Sequence, residues 1–308
     1  MIDLSVSLGK IKLSNPLVLA SGIRGNNADL LIRAAREGAG AVTSKSCSLL
    51  PREGHANPTA IAWGDVMLNA IGLSNPGVQE EVAEIRKAVA GAGVPVIASV
   101  YANSAEDFAL VAAKISAAKP ALIELDISCP NVHDEGRMFS ATCESAGQVT
   151  QAVKRKLASS ASSSSIPLSV KLSPRVSDIG SIARECERSG ADMVSAINTV
   201  PGMWIDVRAK RAVLHNSYGG LSGPAILPVA LRCICDIRKS CPALPIIGGG
   251  GVLSGEDAAR MLMAGATAVS VGSAVGYREN AFSQIRAELL QYMQEEGYKK
   301  ISDIKLVK

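Results

Sequence analysis

The feature that most constrains the fold is an eightfold repeat of a short apolar run followed by a segment with helical periodicity. Strands that are apolar throughout, alternating with amphipathic helices, predict a parallel sheet covered on both faces. Eight units at a spacing of about 25–40 residues are what a (β/α)8 TIM barrel of the α/β class requires, whereas a doubly wound sheet usually needs fewer. The runs occupy residues 17–20, 40–44, 94–100, 121–127, 166–171, 192–197, 245–247 and 268–271.

Four stretches depart from this repeat. Residues 4–7 and 11–13 alternate in polarity around a Gly-Lys pair and predict a short N-terminal β-hairpin. Segments 46–79 and 198–222 are interrupted by proline and glycine, so we expect loops inserted at the C-terminal face of the barrel. The serine-rich run 158–165 predicts a solvated link rather than a domain boundary, which leaves one domain over residues 1–308.

The composition excludes several classes of function. The net charge of +4 is spread without a basic block and aromatic residues make up only 3%, so nucleic-acid binding is not expected. No apolar run reaches the roughly 18 residues of a membrane-spanning helix. The N-terminal residues lack the pattern of a secretory signal, and seven irregularly spaced cysteines are typical of reduced thiols. We therefore expect a cytoplasmic protein with no membrane association and no metal site.

The ends of the predicted strands carry the candidate chemistry, because the carboxyl ends of barrel strands meet at one face. The run 121–127 stops at Cys129-Pro130, which presents a thiol that can be a nucleophile, a metal ligand or a general base. Lys45 and Lys171 end two other strands, and the last two strands end in glycine-rich turns that suit a phosphate. With no Ser-His-Asp arrangement, a phosphate-bearing cofactor with a small polar substrate fits better than hydrolysis.

Several motifs, in order along nearly the whole chain, resemble the soluble class 1 dihydroorotate dehydrogenases. The resemblance implies an FMN-containing barrel that oxidises (S)-dihydroorotate to orotate in pyrimidine biosynthesis. A hydride would pass to the flavin N5 and a proton to a cysteine base. The motifs are MLNAIGLSNPG from Met67, ELDISCPNV from Glu124, VKLSP from Val170, INTVPGM from Ile197, GGLSGPA from Gly219, and IIGGGGV from Ile246 with VGSA from Val271.

The resemblance also implies roles for individual residues. Cys129 would be the base, and Lys45 would stabilise negative charge beside flavin and substrate. From the residues themselves, the loop 132–142 is polar and adjoins the base, which makes it a candidate mobile lid. The substrate would contact Lys45, Asn69, Ala70, Ile71, Gly72, Leu73, Asn131, Asn198 and Thr199. FMN would contact Ser21, Lys45, Ser46, Ser99, Asp126, Lys171, Ile197, Gly223, Gly250, Gly251, Gly272 and Ser273.

Asp126 is the main departure from the family, which usually has asparagine there. An ionised aspartate only accepts hydrogen bonds and adds negative charge beside an anionic substrate. We expect it to be protonated or paired with Lys45 or Lys171, with activity retained. The alternative that Asp126 leaves open is an FMN barrel acting on another dihydropyrimidine-like or enoate substrate. A barrel that has lost catalysis is a further alternative, and Cys129, Lys45 and Asn69 argue against it.

The electron acceptor and the assembly are left open by the resemblance. Class 1 includes homodimers that use fumarate and enzymes that reach NAD through a partner subunit carrying FAD and an iron–sulfur cluster. The segments 67–73 and 127–132 are closer to the partnered type, and the chain has no cysteine cluster of its own for such a centre. We expect a homodimeric core, either alone or with such a partner. Trp63 and Trp204 are expected to be packing or interface residues.

Overall fold

The structure is a computed structural model that describes residues 2–128, 138–159 and 166–307. Cys129 and Asn131 lie outside the described residues. So do most of the predicted lid, 132–142, and most of the serine-rich run 158–165.

The core of the molecule is a closed barrel of eight parallel strands, which confirms the predicted (β/α)8 fold. Each strand pairs with the next along the chain, and the eighth pairs with the first. The strand bounds match the apolar runs to within two residues at each end, because fully buried strands need apolar side chains on both faces. The strands are β1 Leu17–Leu19, β2 Ala41–Thr43, β3 Val96–Val100, β4 Leu122–Asp126, β5 Leu168–Leu172, β6 Met193–Ala196, β7 Ile246–Gly249 and β8 Ala268–Val271.

Helices follow the strands and pack against the outside of the barrel. Five of them begin after a side chain that accepts a hydrogen bond from the first turn, namely Asn27, Ser104, Thr142, Asp178 and Ser254. None of the helices within the described ranges is both long and apolar enough to cross a membrane. The helices are α1 Ala28–Arg36, α2 Val78–Gly91, α3 Ala105–Ile115, α4 Cys143–Ala158, α5 Ile179–Arg188, α6 Leu227–Ser240, α7 Gly255–Ala264, the short α8 Ala274–Tyr277, and α9 Ala281–Glu295.

The predicted N-terminal hairpin closes the amino end of the barrel. Its strands, Val6–Leu8 and Ile11–Leu13, pair antiparallel. Leu8 and Leu13 are buried against inward-facing residues at the beginnings of the barrel strands, including Leu122 of β4. The barrel interior is therefore apolar at this end, and its open end is the carboxyl face.

The two inserted segments, expected as loops, instead form an antiparallel sheet over the carboxyl face, which we call the cap sheet. Its strands are Ala60–Trp63, Val66–Asn69, Val200–Met203 and Tyr218–Ser222. Asn69 pairs with Gly220 across 151 positions of the chain, a contact that local sequence patterns do not reveal. A smaller pair, Ile205–Asp206 with Arg211–Ala212, extends from it.

The two tryptophans belong to these inserted segments. The rings of Trp63 and Trp204 lie 4.3 Å apart between centroids, so they pack on each other as the sequence predicts.

Candidate active site

A cavity of about 500 Å³ lies between the carboxyl ends of the barrel strands and the cap sheet. Its wall brings together residues from segments that are far apart in the sequence, and most of the predicted site residues line it. Those that do are Ser21, Lys45, Ser46, Asn69, Ala70, Ile71, Gly72, Leu73, Asp126, Lys171, Ile197, Asn198, Thr199, Gly250, Gly251, Gly272 and Ser273.

Two predicted cofactor ligands lie behind this wall. Ser99 is fully buried, and its hydroxyl lies 2.9 Å from that of Ser46, which does reach the cavity. Gly223 packs against the cap sheet, where a Cβ would fall 2.2 Å from the carbonyl oxygen of Asp65. In this structure Ser99 supports a lining residue and Gly223 permits close backbone packing. Each adjoins a lining residue: Ser99 contacts Ser46 through its hydroxyl, and Gly223 follows Ser222 along the chain.

Asp126 is paired with Lys171, one of the two partners expected for it. Its carboxylate lies 3.9 Å from the Lys171 ammonium group, and the two residues are direct neighbours on β4 and β5. Asp126 also accepts hydrogen bonds from the hydroxyls of Ser128, at 2.6 Å, and Ser46, at 3.5 Å. Because the carboxylate has a cation and several donors, its burial at 7% exposure is compensated.

Ser128, the residue before Cys129, is held from two sides. Its hydroxyl donates to Asp126 and accepts a hydrogen bond of 2.8 Å from the side-chain amide of Asn198. The backbone N–H of Asn198 in turn donates to the carbonyl oxygen of Leu172 at the end of β5. These hydrogen bonds hold Ser128 at the cavity wall, directly before the predicted base, Cys129.

Glu124 is a buried carboxylate of the cavity that the sequence analysis did not single out. It accepts hydrogen bonds from the hydroxyls of Ser195, at 2.7 Å, and Ser99, at 3.3 Å. Ser169 lies 2.9 Å from Ser195 and continues this polar layer beneath the cavity. Strand alternation is the signal that would have found it, because Leu122, Glu124 and Asp126 must all face the barrel interior if one of them does.

The turn after β7 has a backbone that favours glycine and is suited to an anion. Gly250 and Gly251 have φ angles of +133° and +82°, which L-residues rarely adopt. A Cβ on Gly251 would lie 2.8 Å from the backbone nitrogen of Leu227. Among the described residues, the backbone N–H groups of Gly251, Gly272 and Ser273 have no hydrogen-bond acceptor. We call this group of N–H donors the glycine cradle.

None of the cysteines among the described residues lines the cavity. Cys47 comes nearest in sequence to the site lysine, Lys45, but it is fully buried. Burial, reinforced by the nearby carboxylate of Glu81, raises the pKa of the Cys47 thiol well above its usual range. This thiol is therefore a poor candidate for proton transfer.

Glu81, in the first turn of α2, has a carboxylate oxygen without a hydrogen-bond partner in the described structure. Burial and the neighbouring Glu84 raise the pKa of Glu81 from 4.5 to about 7, although a hydrogen bond with Ser44 opposes the shift. The folded protein thus binds this proton more tightly than the unfolded chain does. Its free energy of unfolding should fall as pH rises from about 4.5 to about 7 and stay lower above that range.

We expect Glu81→Gln to be stabilising at pH 8, by about 3 kcal/mol, and close to neutral at pH 4.5. Urea unfolding at the two pH values measures this difference. Glu80→Gln, at an exposed position on the same helix, is the matched control. Equal effects of Glu81→Gln at both pH values would contradict the assignment of the titrating group.

The fold and the cavity together define a class of protein: a (β/α)8-barrel enzyme with its site at the carboxyl ends of the strands. A model of one family, dihydroorotate dehydrogenase, matches residues 3–293. The chain belongs to the dihydroorotate dehydrogenase family.

Individual relatives agree with this assignment. The dihydroorotate dehydrogenase B (NAD(+)) catalytic subunit of Methanosarcina acetivorans is 42% identical over 299 residues, covering 97% of this chain and 94% of the relative. The protein of the same name from Pyrococcus abyssi is 40% identical over 302 residues, covering 98% and 97%. The one from Methanocaldococcus jannaschii is 41% identical over 298 residues, covering 96% and 94%.

Proposed function

We propose that this protein oxidises (S)-dihydroorotate to orotate in pyrimidine biosynthesis, using FMN as its flavin. Family membership supports the reaction, and the named relatives support the same activity. The observation that carries the proposal is one cavity in which Lys45, Asn69 and Asn198 lie with the glycine cradle. Such a wall offers an anion site and a polar substrate site side by side.

The cavity fits a phosphate-bearing flavin. Its volume of about 500 Å³ lies within the range of cofactor pockets, about 300–1,000 Å³. The glycine cradle provides backbone donors for a phosphate at the ends of β7 and β8, as is common in barrels. Lys171 lies on the wall at the end of β5, where it would hold negative charge on the reduced flavin.

The substrate's functional groups suit the remaining lining residues. Dihydroorotate carries ring carbonyls, ring N–H groups and a carboxylate, and an amide side chain can both donate to and accept from such groups. The side chains of Asn69 and Asn198 approach the cavity from the cap sheet and from β6, respectively. Residues 70–73, which follow Asn69 along the chain, also line the cavity.

The oxidation removes a proton from one ring carbon and a hydride from its neighbour. Bound FMN would supply the hydride acceptor. Cys129 would take the proton on Sγ, and its neighbour Ser128 is anchored at the cavity wall by Asp126 and Asn198. Lys45, half-buried at the end of β2, would stabilise the negative charge that develops on the substrate.

The pairing of Asp126 with Lys171 removes the main objection to dihydroorotate as the substrate. An uncompensated carboxylate in the cavity would repel the substrate's own carboxylate. Because Asp126 has a cationic partner and three hydrogen bonds from Ser46 and Ser128, its charge is already balanced within the protein. The departure from asparagine is therefore compatible with an anionic substrate.

The names of the relatives also support a proposal about the subunits with which this chain assembles. They are called catalytic subunits of an NAD(+) enzyme, which supports a partner subunit for this chain as well. We propose that electrons pass from FMN to NAD through a partner carrying FAD and an iron–sulfur cluster, that the catalytic chain forms a homodimer, and that the complex works in the cytoplasm.

The direct test is the visible absorption spectrum of the purified protein before and after anaerobic addition of dihydroorotate. We expect a bound-flavin spectrum that bleaches on addition, because the first half-reaction needs only this chain and FMN. Cofactor released by denaturation and separated by chromatography should be FMN. A flavin spectrum that dihydroorotate does not bleach would overturn the substrate, and failure to bind FMN would overturn the proposal as a whole.

A further inference from the structure

The charges on the described part of the cavity wall cancel in the interior. Two lysines, Lys45 and Lys171, face two carboxylates, Glu124 and Asp126. All four are buried or half-buried. An anionic substrate would therefore enter an interior whose charged side chains supply no net attraction. Among the described residues, any net positive charge on the cavity wall must come from the rim.

Arg175 is the remaining charged residue of the described wall. It lies in the loop between β5 and α5, and it is solvent-exposed. Its backbone N–H donates to the Ser173 hydroxyl, at 3.1 Å, which shapes the turn. Within the described residues its guanidinium group has no carboxylate within ion-pair distance. The charge of Arg175 is thus available to a ligand at the mouth of the cavity.

The position of Arg175 around the barrel places it on the substrate side. Strand β5 lies between β4 and β6 in the closed sheet. β4 leads through Ser128 to Cys129, and β6 leads to Asn198, whose amide contacts Ser128. The glycine cradle, by contrast, belongs to β7 and β8. A cation in the β5 loop therefore adjoins the proposed substrate residues rather than the proposed phosphate site.

We propose that Arg175 is the residue that attracts the carboxylate of dihydroorotate, and retains that of orotate, at the mouth of the cavity. This inference rests on the proposed function. Exposed charges at a cleft act mainly by raising the local concentration of an oppositely charged ligand, an effect that salt screens. Arg175 is thus a specificity residue for anionic substrates and takes no part in proton or hydride transfer.

The test compares Arg175→Gln with wild type, both loaded with FMN. Orotate affinity is measured from the change in the flavin spectrum, and steady-state kinetics are measured with dihydroorotate, at low and high ionic strength. We expect Arg175→Gln to weaken orotate binding and to raise KM about tenfold at low salt, with kcat within about twofold of wild type. At 0.5 M salt the difference should shrink to less than about twofold.

Two further variants make the comparison specific. Arg188→Gln removes the same charge from the last turn of α5, which is not part of the cavity wall, and should behave as wild type. Arg175→Lys keeps the charge and should restore most of the affinity. FMN content and urea unfolding show whether each variant is folded.

The outcomes separate this inference from the proposed function. If wild-type flavin is not reduced by dihydroorotate, both fail. If wild type is reduced and Arg175→Gln binds orotate as wild type does, only the role of Arg175 is overturned. A loss of orotate affinity that persists at high salt would likewise overturn the role of Arg175, because salt screens an electrostatic attraction. A fall in kcat without a change in KM would also overturn it, because attraction of the substrate acts on KM.

Discussion

Cys129→Ala is expected to lower the rate of flavin reduction by dihydroorotate about 10²–10⁴-fold, the usual contribution of a positioned general base. FMN content and orotate affinity should stay close to those of wild type, because a base makes its main contribution in the transition state. Rapid mixing of oxidised enzyme with dihydroorotate under anaerobic conditions measures the reduction step directly.

The matched control is Cys143→Ala. Cys143 is a half-buried cysteine at the start of α4 and does not line the cavity, so its removal should leave the reduction rate unchanged. Cys129→Ser, which keeps a weaker base at the same place, should recover part of the rate, increasingly so at high pH. Reduction of Cys129→Ala at the wild-type rate would place the base elsewhere.

The barrel could be predicted from sequence because its determinants are local. Each strand is a short apolar run and each helix an amphipathic segment, and five helices carry a capping side chain just before their first turn. The end of β7 was placed two residues early because glycines usually mark turns. Here Gly248 and Gly249 continue the strand, and a Cβ on Gly249 would fall 2.6 Å from that of Ser270 on β8.

The cap sheet could not be predicted in the same way. Its two halves lie about 130 residues apart along the chain, its strands are short and partly exposed, and those of the second half contain glycine. Pairing such as that of Leu68 with Leu221 depends on the barrel bringing the two insertions to one face. Periodicity within either insertion carries no information about this partner.

The site was predicted largely by resemblance. The structure adds to this prediction at buried residues whose side chains bond to other residues of the site. Ser99 resembles a cofactor ligand by position, yet its hydroxyl is used within the protein by Ser46 and Glu124. Glu124 was not predicted because the resemblance implies no role for it. It lies two residues before Asp126 on the same strand, so strand alternation places both carboxylates on the face that Leu122 directs into the barrel.

The second large effect is expected on the free energy of unfolding when the Asp126–Lys171 ion pair is broken. Lys171→Met removes the cationic partner of a carboxylate that is only 7% exposed, and it should reduce the free energy of unfolding by about 3 kcal/mol. Asp126→Asn should cost less, about 1 kcal/mol, because an amide oxygen can still accept the hydrogen bond from the Ser128 hydroxyl. Urea unfolding of the FMN-loaded proteins measures both.

The double variant decides whether the two charges act on each other. If the main cost of Lys171→Met is an unpaired carboxylate, Asp126→Asn in that background should be stabilising, and the double variant should lie about 2 kcal/mol or more above the sum of the single effects. The same pair should tune the cofactor: in Asp126→Asn the Lys171 charge is no longer offset, so the flavin's reduction potential should rise. Strictly additive stabilities and an unchanged potential would show that 3.9 Å is too far for the two charges to be coupled.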